Sequence, residues 1–262
     1  FKKTSNAVIN LNESGLSILE ISHRSNEFKD ILNEARELVL NIAQLDSNEY
    51  SSLFLQGGAS TQFLMVAYNF LNNKAGYINT GSWSSKAMKE ARLFGNVIEI
   101  ASSKDKNFNY IPKDYNLQDN LDYIHLTTNN TIYGTQFKHI PDLNQSLIGD
   151  MSSDIFSREI DYSVFDLFYA GAQKNIGPAG TTLVVIKKEI LERIKREVPS
   201  MLNYKVHIDK DSSFNTPPVF SIYACLLNLK QIKINGIKNV ESENSSKANS
   251  LYDEIDRNPY FT

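Results

Sequence analysis

Apolar residues recur every three or four positions between residues 26 and 43, a spacing that predicts an amphipathic helix packed on a core. The positions between them are mostly polar, so the opposite face of this helix is predicted to be solvated. The apolar positions are Phe28, Ile31, Leu32, Ala35, Leu38, Val39 and Ile42. We assign this helix to packing alone.

Downstream, short apolar runs alternate with helical patterns. Residues 52–72 predict a strand, a glycine turn and a helix, and residues 76–95 repeat that order. Further strands are predicted at 97–100 and 121–128, the second of which carries His125 as a core histidine. The alternation is typical of an α/β domain with a largely parallel sheet, in which ligands bind beyond the carboxyl ends of the strands.

The two ends of the chain give weaker patterns. Residues 1–15 are polar and are predicted to be irregular, whereas residues 16–24 form an apolar run that is predicted to be extended. Later helices are predicted at 189–197, 219–234 and 244–257. Two consecutive prolines at 217 and 218 exclude helix from the loop before the second of these.

Composition narrows the class of protein. The chain has 262 residues and a formal net charge of -3, without a dense block of Lys and Arg, so nothing favours a nucleic-acid partner. Cys225 is the only cysteine, which excludes an internal disulfide and fits a reducing compartment. There is no membrane-length apolar run and no opening signal peptide. We therefore expect a cytoplasmic protein with no membrane partner and no metal site.

A lysine lies between two predicted strands in the segment FDLFYAGAQKNIGPAG. The aromatic run before Lys174 stops at Gly171, and two glycines and a proline follow the lysine, which predicts a tight turn between strands. A lysine held there is expected to be partly desolvated, which favours the neutral amine that a Schiff-base lysine needs. The alternative is an exposed turn lysine without chemistry.

Three other places carry candidate chemistry. Gly57 and Gly58 allow a sharp turn before a helix that Ser60 or Thr61 is expected to cap, and a helix N-terminus can hold a phosphate. Trp83, the only tryptophan, is either a packing anchor or a platform for a planar ring. An acid after a short apolar run, Asp150, is either a cap or surface charge or a partner for a cation.

The segment FYAGAQKNIGPAG closely resembles the cofactor-lysine segment of phosphoserine aminotransferases, class V enzymes of fold type I that use pyridoxal 5'-phosphate (PLP). Motifs follow in family order from about Leu16 to about Arg257. The resemblance implies a mostly parallel seven-stranded sheet between helices in a PLP-binding large domain over residues 1–235. It implies a linker helix and the beginning of a small α/β domain over 236–262. The family motif whose arginine binds the substrate carboxylate has no counterpart in this sequence.

The resemblance also implies a role for each matching residue on the cofactor side. Lys174 would bind PLP covalently, and Gln173 would contact the cofactor phosphate together with the backbone amides of Ala59 and Ser60. Trp83 would stack on the pyridine ring. Two further motifs supply Thr131 (N-x-T-x-x-G), whose hydroxyl would bond the 3'-oxygen, and Asp150 (D-x-S-S), which would keep the pyridine nitrogen protonated.

The remaining motifs imply a homodimer and a phosphorylated substrate. Asn215 and Thr216, in N-T-P-P, would contact the PLP phosphate of the neighbouring subunit. His23 and Arg24, in S-H-R, would contact the substrate phosphate, for which the planar fork of arginine is well suited.

The implied reaction is reversible transamination between O-phospho-L-serine with 2-oxoglutarate and 3-phosphohydroxypyruvate with L-glutamate, in L-serine biosynthesis. A class V aminotransferase with another substrate is one alternative, against which the His23–Arg24 pair argues. A non-catalytic relative that keeps the fold is a second. An α/β domain without a cofactor, which would make the ordered motifs coincidental, is a third.

Overall fold

The computed structural model describes residues 2–261 and consists of a central sheet between two layers of helices. The strands are β1 Tyr50–Leu55, β2 Lys74–Asn79, β3 Asn96–Ser102, β4 Ile124–Thr127, β5 Asn129–Asn130, β6 Thr135–Gln136, β7 Leu147–Asp150, β8 Leu167–Gly171 and β9 Thr182–Lys187. The helices are α1 Lys2–Ile9, α2 Asn26–Ala43, α3 Gly58–Phe70, α4 Ser82–Ala91, α5 Tyr204–Asp209, α6 Val219–Asn235 and α7 Ile237–Arg257.

The main sheet has seven strands in the order β1-β9-β8-β7-β4-β2-β3. Only β9 runs against its neighbours, and the other pairings are parallel. The short strands β5 and β6 form a separate antiparallel hairpin. The prediction of a mostly parallel seven-stranded sheet between helices is therefore confirmed.

Alternate residues of the central strands point into two apolar layers, as the period of a strand requires. On one face, Phe168 and Val185 pack with α2 and α6, and on the other face Tyr169 and Val184 pack with α3 and α4. All seven apolar positions predicted for the helix at 26–43 are buried in α2. His125 is a buried core histidine, as predicted.

Several local predictions are wrong for identifiable reasons. Residues 2–9 form α1, although they were predicted to be irregular. Residues 16–24 are turns and bends rather than a strand, because Ser17 and Ser22 accept hydrogen bonds from the nearby backbone amides of Leu19 and Arg24. Such local side-chain bonds compete with strand pairing. The short helix predicted at 189–197 is a 3₁₀ helix over Lys188–Arg193.

The start of α3 also differs from the prediction. Neither Ser60 nor Thr61 caps this helix, which begins one residue after Gly57. Gly57 has φ +91°, in the left-handed region that glycine tolerates best, and its carbonyl accepts a hydrogen bond from Thr61 Oγ1 at 2.9 Å. The glycine turn thus leads directly into the helix, and the first amides of α3 remain without a side-chain cap.

Helix α7 follows α6 after one residue, Gly236, and has no buried residue. The division into a large domain over 1–235 and a linker with the beginning of a small domain over 236–262 stays a prediction. Within residues 2–261, no helix is both long and apolar enough to cross a lipid bilayer.

Candidate active site

The predicted site residues follow the carboxyl ends of several strands, which lie at one edge of the sheet. Leu55 of β1 and Gly171 of β8 both pair with Thr182 of β9, so the ends of β1 and β8 are two strand spacings apart, roughly 10 Å. Asp150 ends β7 beside Thr127 of β4. This edge therefore gathers the glycine turn, the lysine turn and the acid.

The lysine turn has the strand–turn–strand form that its sequence predicts. Strand β8 ends at Gly171, a 3₁₀ turn covers Ala172–Lys174, and β9 returns antiparallel to β8. The side chain of Gln173 folds over Gly171, where an added Cβ would lie 2.8 Å from Gln173 Oε1. Lys174 itself is exposed, so the prediction that the turn desolvates it is wrong for this chain by itself.

Lys174 opens into the largest cavity described near the strand ends, about 1130 Å³. Its walls come from the lysine turn, from α1 and from α6, and they include Val8, Pro178 and Phe220. These walls are mostly apolar. The cavity can therefore take a sizeable ligand against the amine while its apolar sides keep part of that ligand from water.

An aromatic ring lies close to this amine, and a hydroxyl lies close to that ring. Lys174 Nζ is 5.0 Å from the centroid of the Trp83 ring. Trp83 Nε1 donates a hydrogen bond to Thr131 Oγ1 at 3.3 Å, which joins α4 to the tip of the β5–β6 hairpin. Trp83 lies in the first turn of α4, where Asn79 Oδ1 accepts hydrogen bonds from Ser84 and Ser85 and so anchors the helix start.

Asp150 is a buried carboxylate at the end of β7, only 4% exposed. Its Oδ1 accepts hydrogen bonds from the amide and the hydroxyl of Ser152, at 3.0 and 2.7 Å. Burial raises the pKa of the Asp150 carboxyl, whereas the Ser152 hydrogen bonds and the positive charge of Lys174 oppose that rise. A second cation beside Asp150 would further stabilise its ionised form.

The phosphate-binding candidates are only partly brought together. Ala59 and Ser60 lie in the first turn of α3. Asn215 and Thr216 are tied to the residue before that turn: Asn215 Nδ2 donates to Gln56 Oε1 at 3.0 Å, and Gln56 Nε2 donates to the Thr216 carbonyl at 2.5 Å. These bonds fix the Asn215–Thr216 loop against its own chain, and the predicted contact with a neighbouring subunit stays a prediction.

The substrate-side candidates lie elsewhere on the surface. His23 lines a cavity of about 390 Å³ together with Thr216 and Pro218, whereas Arg24 is exposed. Thus His23 meets the Asn215–Thr216 loop, and neither His23 nor Arg24 lines the cavity of Lys174.

The sequence pattern gives no role to three residues that matter to this geometry. Gln56 joins the glycine turn to the Asn215–Thr216 loop, Ser152 holds Asp150, and Asp154 is a second buried carboxylate close by. Ser152 belongs to the D-x-S-S motif, but its hydrogen bond to Asp150 requires the loop conformation. For Asp154 the only available signal was its spacing of four residues from Arg158.

The residues at this edge fit PLP. Within residues 2–261, Asp150 Oδ1 receives two hydrogen bonds and Oδ2 receives none, so one oxygen of a buried carboxylate is left for a donor such as a protonated ring nitrogen. An indole face, a primary amine and a helix N-terminus lie at the same edge. A planar, anionic aldehyde cofactor uses each of these groups.

Comparison with known proteins places this arrangement in a family. The family model described as aminotransferase class V matches residues 2–262, and the chain belongs to that family. The phosphoserine aminotransferases of Flavobacterium psychrophilum and Flavobacterium johnsoniae are 55% and 56% identical to the chain over 264 residues. Each alignment covers all of this chain and 74% of the relative. The resemblance to phosphoserine aminotransferases is therefore confirmed.

Solved structures agree with this assignment. The phosphoserine aminotransferase from Bacillus circulans subsp. alkalophilus has a TM-score of 0.93 and 43% identity, over 97% of this chain and 72% of that one. A PLP-bound phosphoserine aminotransferase from Trichomonas vaginalis has a TM-score of 0.92 and 32% identity, over 98% and 74%. The fold of this chain is thus that of PLP-dependent aminotransferases of fold type I.

Proposed function

We propose that this chain catalyses the PLP-dependent, reversible transfer of an amino group between O-phospho-L-serine and 2-oxoglutarate. The products are 3-phosphohydroxypyruvate and L-glutamate, and in the reverse direction the reaction supplies phosphoserine for L-serine biosynthesis. The observation that carries the proposal is the meeting of Lys174, Trp83, Thr131 and Asp150 at one edge of the sheet. Such a set of protein groups suits a cofactor that bonds covalently to an amine and that offers a ring face, a ring oxygen and a ring nitrogen for contact.

On the cofactor side, each residue has one task. Lys174 Nζ would attach the cofactor, Trp83 would cover one face of its ring, and Thr131 Oγ1 would bond the ring oxygen. Asp150 Oδ2 would accept the hydrogen bond of the ring nitrogen. The uncapped amides of Ala59 and Ser60 and the side chain of Gln173 hold the phosphate, because a helix N-terminus favours an anion.

Catalysis then depends on the movement of one proton. PLP, when bound, supplies the electron sink that makes loss of the α-proton accessible. Lys174 would hold the cofactor in the resting enzyme, and its amine, once free, would accept the α-proton on Nζ. Asp150 would keep a positive charge on the ring nitrogen, while Ser152 fixes the direction of the carboxylate.

Substrate choice and assembly complete the proposal. His23 and Arg24 bind the phosphate of the substrate, which distinguishes phosphoserine from amino acids without a phosphate. The protein acts as a cytoplasmic homodimer in which Asn215 and Thr216 contact the cofactor phosphate of the neighbouring subunit. This arrangement would bring His23, which shares a cavity with Thr216, to the mouth of a site.

The visible spectrum of the purified protein with PLP tests this proposal. We expect a band from lysine-bound PLP that bleaches when O-phospho-L-serine is added, and no such band in the Lys174→Ala variant. A band that persists with phosphoserine but bleaches with alanine or serine would favour another class V aminotransferase. Absence of any band in the presence of PLP would refute the enzymatic function and favour a non-catalytic relative.

A further inference from the structure

We propose that Asp154 is a positioning residue. Its buried carboxylate holds the β5–β6 hairpin, with Thr131 at its tip, in a fixed position against the end of β7. The inference rests on the proposed function for its catalytic consequence, but its geometric claim can be tested without the cofactor. Asp154 touches neither the amine of Lys174 nor the Trp83 ring, and so it acts through other residues.

The carboxylate of Asp154 bridges the two legs of the hairpin. Its Oδ1 accepts a hydrogen bond from Thr128 Oγ1 at 2.5 Å, and Thr128 directly precedes β5. Its Oδ2 accepts one from Gln136 Nε2 at 3.3 Å, and Gln136 is the last residue of β6. One side chain therefore links the two strands at the base of the hairpin. Such a link matters because only two residues of each strand pair with one another.

Arg158 completes this closure from the same loop. Its guanidinium donates to Asp154 Oδ2 at 3.3 Å and to the carbonyl of Phe137 at 2.7 Å. The second contact lies just beyond β6, so the ion pair also fixes the chain that leaves the hairpin. Asp154 is only 2% exposed and the Arg158 side chain only 12%, so little water competes with these bonds.

The loop that contains Asp154 also contacts the other two parts of the site. The backbone amide of Thr128 donates to the Asp150 carbonyl at 3.0 Å, which joins the hairpin to the end of β7. Asn175 Nδ2, one residue after the lysine, donates to the Ile155 carbonyl at 2.5 Å. The loop at 151–158 therefore contacts the chain next to Thr131, Asp150 and Lys174, and so relates their positions to one another.

A second role for Asp154 arises from its charge. Its carboxylate is one of the groups that raise the pKa of Asp150, in the direction opposite to the effect of Lys174. Burial raises the pKa of the Asp154 carboxyl, and the hydroxyl of Thr128 and the positive charge of Arg158 oppose part of that rise. The positioning role nevertheless depends on the geometry of the hydrogen bonds. An uncharged acceptor of the same shape at position 154 should therefore keep most of that role.

Trp83 provides a direct readout in the protein without PLP. It is the only tryptophan, and it donates to Thr131 at the tip of the hairpin that Asp154 holds. If Asp154→Ala frees the hairpin, this hydrogen bond is lost and acrylamide should quench the fluorescence of Trp83 more strongly than in the unmodified protein. With PLP, we expect about tenfold weaker cofactor binding, the factor that corresponds to one lost hydrogen bond.

Asp166→Ala is the matched control. Asp166 also accepts from a serine hydroxyl and an arginine, Ser146 at 2.5 Å and Arg193 at 3.4 Å, but it directly precedes β8, at the opposite edge of the sheet. It should lower thermal stability without changing Trp83 quenching or PLP affinity. Asp154→Asn, which keeps an acceptor for Thr128, should restore most of the PLP affinity lost in Asp154→Ala.

The outcomes separate this inference from the proposed function. If Asp154→Ala does not fold, Thr128→Val keeps the shape of the side chain and removes its hydroxyl, which donates to Asp154 Oδ1 at 2.5 Å and also lies 3.2 Å from the Asp150 carbonyl oxygen. It should raise Trp83 quenching in the same direction. Wild-type quenching and wild-type PLP affinity in Thr128→Val, with no effect of Asp154→Ala beyond that of Asp166→Ala, would overturn the positioning role. Failure of the unmodified protein to bind PLP would refute only the proposed function, because the quenching comparison would still decide the role of Asp154.

Discussion

The Ser152→Ala substitution removes the group that connects Asp150 to the lysine turn. Ser152 Oγ donates to Asp150 Oδ1 at 2.7 Å and accepts from the backbone amide of Gly171 at 3.1 Å, and all three groups are buried. The hydroxyl therefore joins the end of β7 to the end of β8, directly before Lys174. We expect its loss to lower both the stability of the protein and the precision of the site.

The expected magnitude follows from the two hydrogen bonds. A hydrogen bond to a buried charged group contributes about 1.5–3 kcal/mol, and a buried amide left without a partner costs about 1–3 kcal/mol. Their sum, about 2.5–6 kcal/mol, is a large fraction of the total stability of a typical domain. Ser153→Ala is the control, because Ser153 Oγ makes one hydrogen bond, to the Asn129 carbonyl at 2.8 Å, and its removal should cost about 1 kcal/mol.

The loss should also depend on pH. Burial raises the pKa of Asp150 above its value in an unfolded chain, so its contribution to stability is present at low pH and is lost as the pH rises through the raised pKa. Removing a donor raises that pKa further. The difference in stability between Ser152→Ala and the unmodified protein should consequently be larger at about pH 8 than at about pH 5.

Urea denaturation of the protein without PLP, at both pH values, measures these differences. Equal losses for Ser152→Ala and Ser153→Ala would refute the claim that the Asp150–Ser152–Gly171 connection is energetically special. A larger loss for Ser152→Ala that does not change with pH would refute the part of the reasoning that concerns the charge of Asp150.

Three further substitutions test other parts of the site. Lys174→Ala should reduce transamination by at least about a thousandfold in a steady-state assay, because it removes the amine proposed to hold the cofactor and to move the proton; substantial remaining activity would contradict the assignment. Arg24→Gln should raise KM for phosphoserine about tenfold or more and leave the slow turnover of serine unchanged, whereas equal effects on both would exclude a role in phosphate recognition. Gly81→Ala should lower the thermal midpoint by an amount equivalent to about 1–3 kcal/mol, because Gly81 has φ +148° and a Cβ there would lie 2.6 Å from the Tyr133 ring; an unchanged midpoint would show that the start of α4 can adapt.

Periodicity predicted the parts of the fold in which burial decides the structure. Every apolar position chosen for the helix at 26–43 is buried in α2, because a helix that covers a sheet must place its apolar side chains on one face. The central strands and the helices after each glycine turn were predicted for the same reason. The lysine turn was found from its glycines and its apolar flanks, and its strand–turn–strand form is confirmed.

Local hydrogen bonds decided the segments that the pattern did not predict. Residues 16–24 have the apolar content of a strand, but serine side chains bond the nearby backbone and no neighbouring strand pairs with them. Helix α1 has a single buried residue, Ala7, so its sequence has no clear apolar face to detect. Both segments depend on contacts that are distant or specific to one conformation.

The sequence predicted which residues belong to the candidate site, but it did not predict how exposed or buried those residues are. Family motifs supplied Lys174, Trp83, Thr131 and Asp150, and the structure brings these four to one edge of the sheet. The exposure of Lys174 and the burial of Asp154 could not be predicted, because a lysine in an apolar turn and an acid in a loop are each compatible with either surrounding. Their surroundings are determined by chain segments distant in sequence.

The direction of β9 affects the order in which this site can form. Its pairing with β8 closes a hairpin of about ten residues, whereas its pairing with β1 joins groups 126 residues apart, as in the bond from Thr181 Oγ1 to the Leu55 carbonyl. Closing the longer loop costs roughly 2 kcal/mol more in chain entropy. We therefore expect the lysine hairpin to form early in folding and the glycine turn after β1 to dock late. The anion-binding helix start that follows this glycine turn would then join the site only when the sheet is complete.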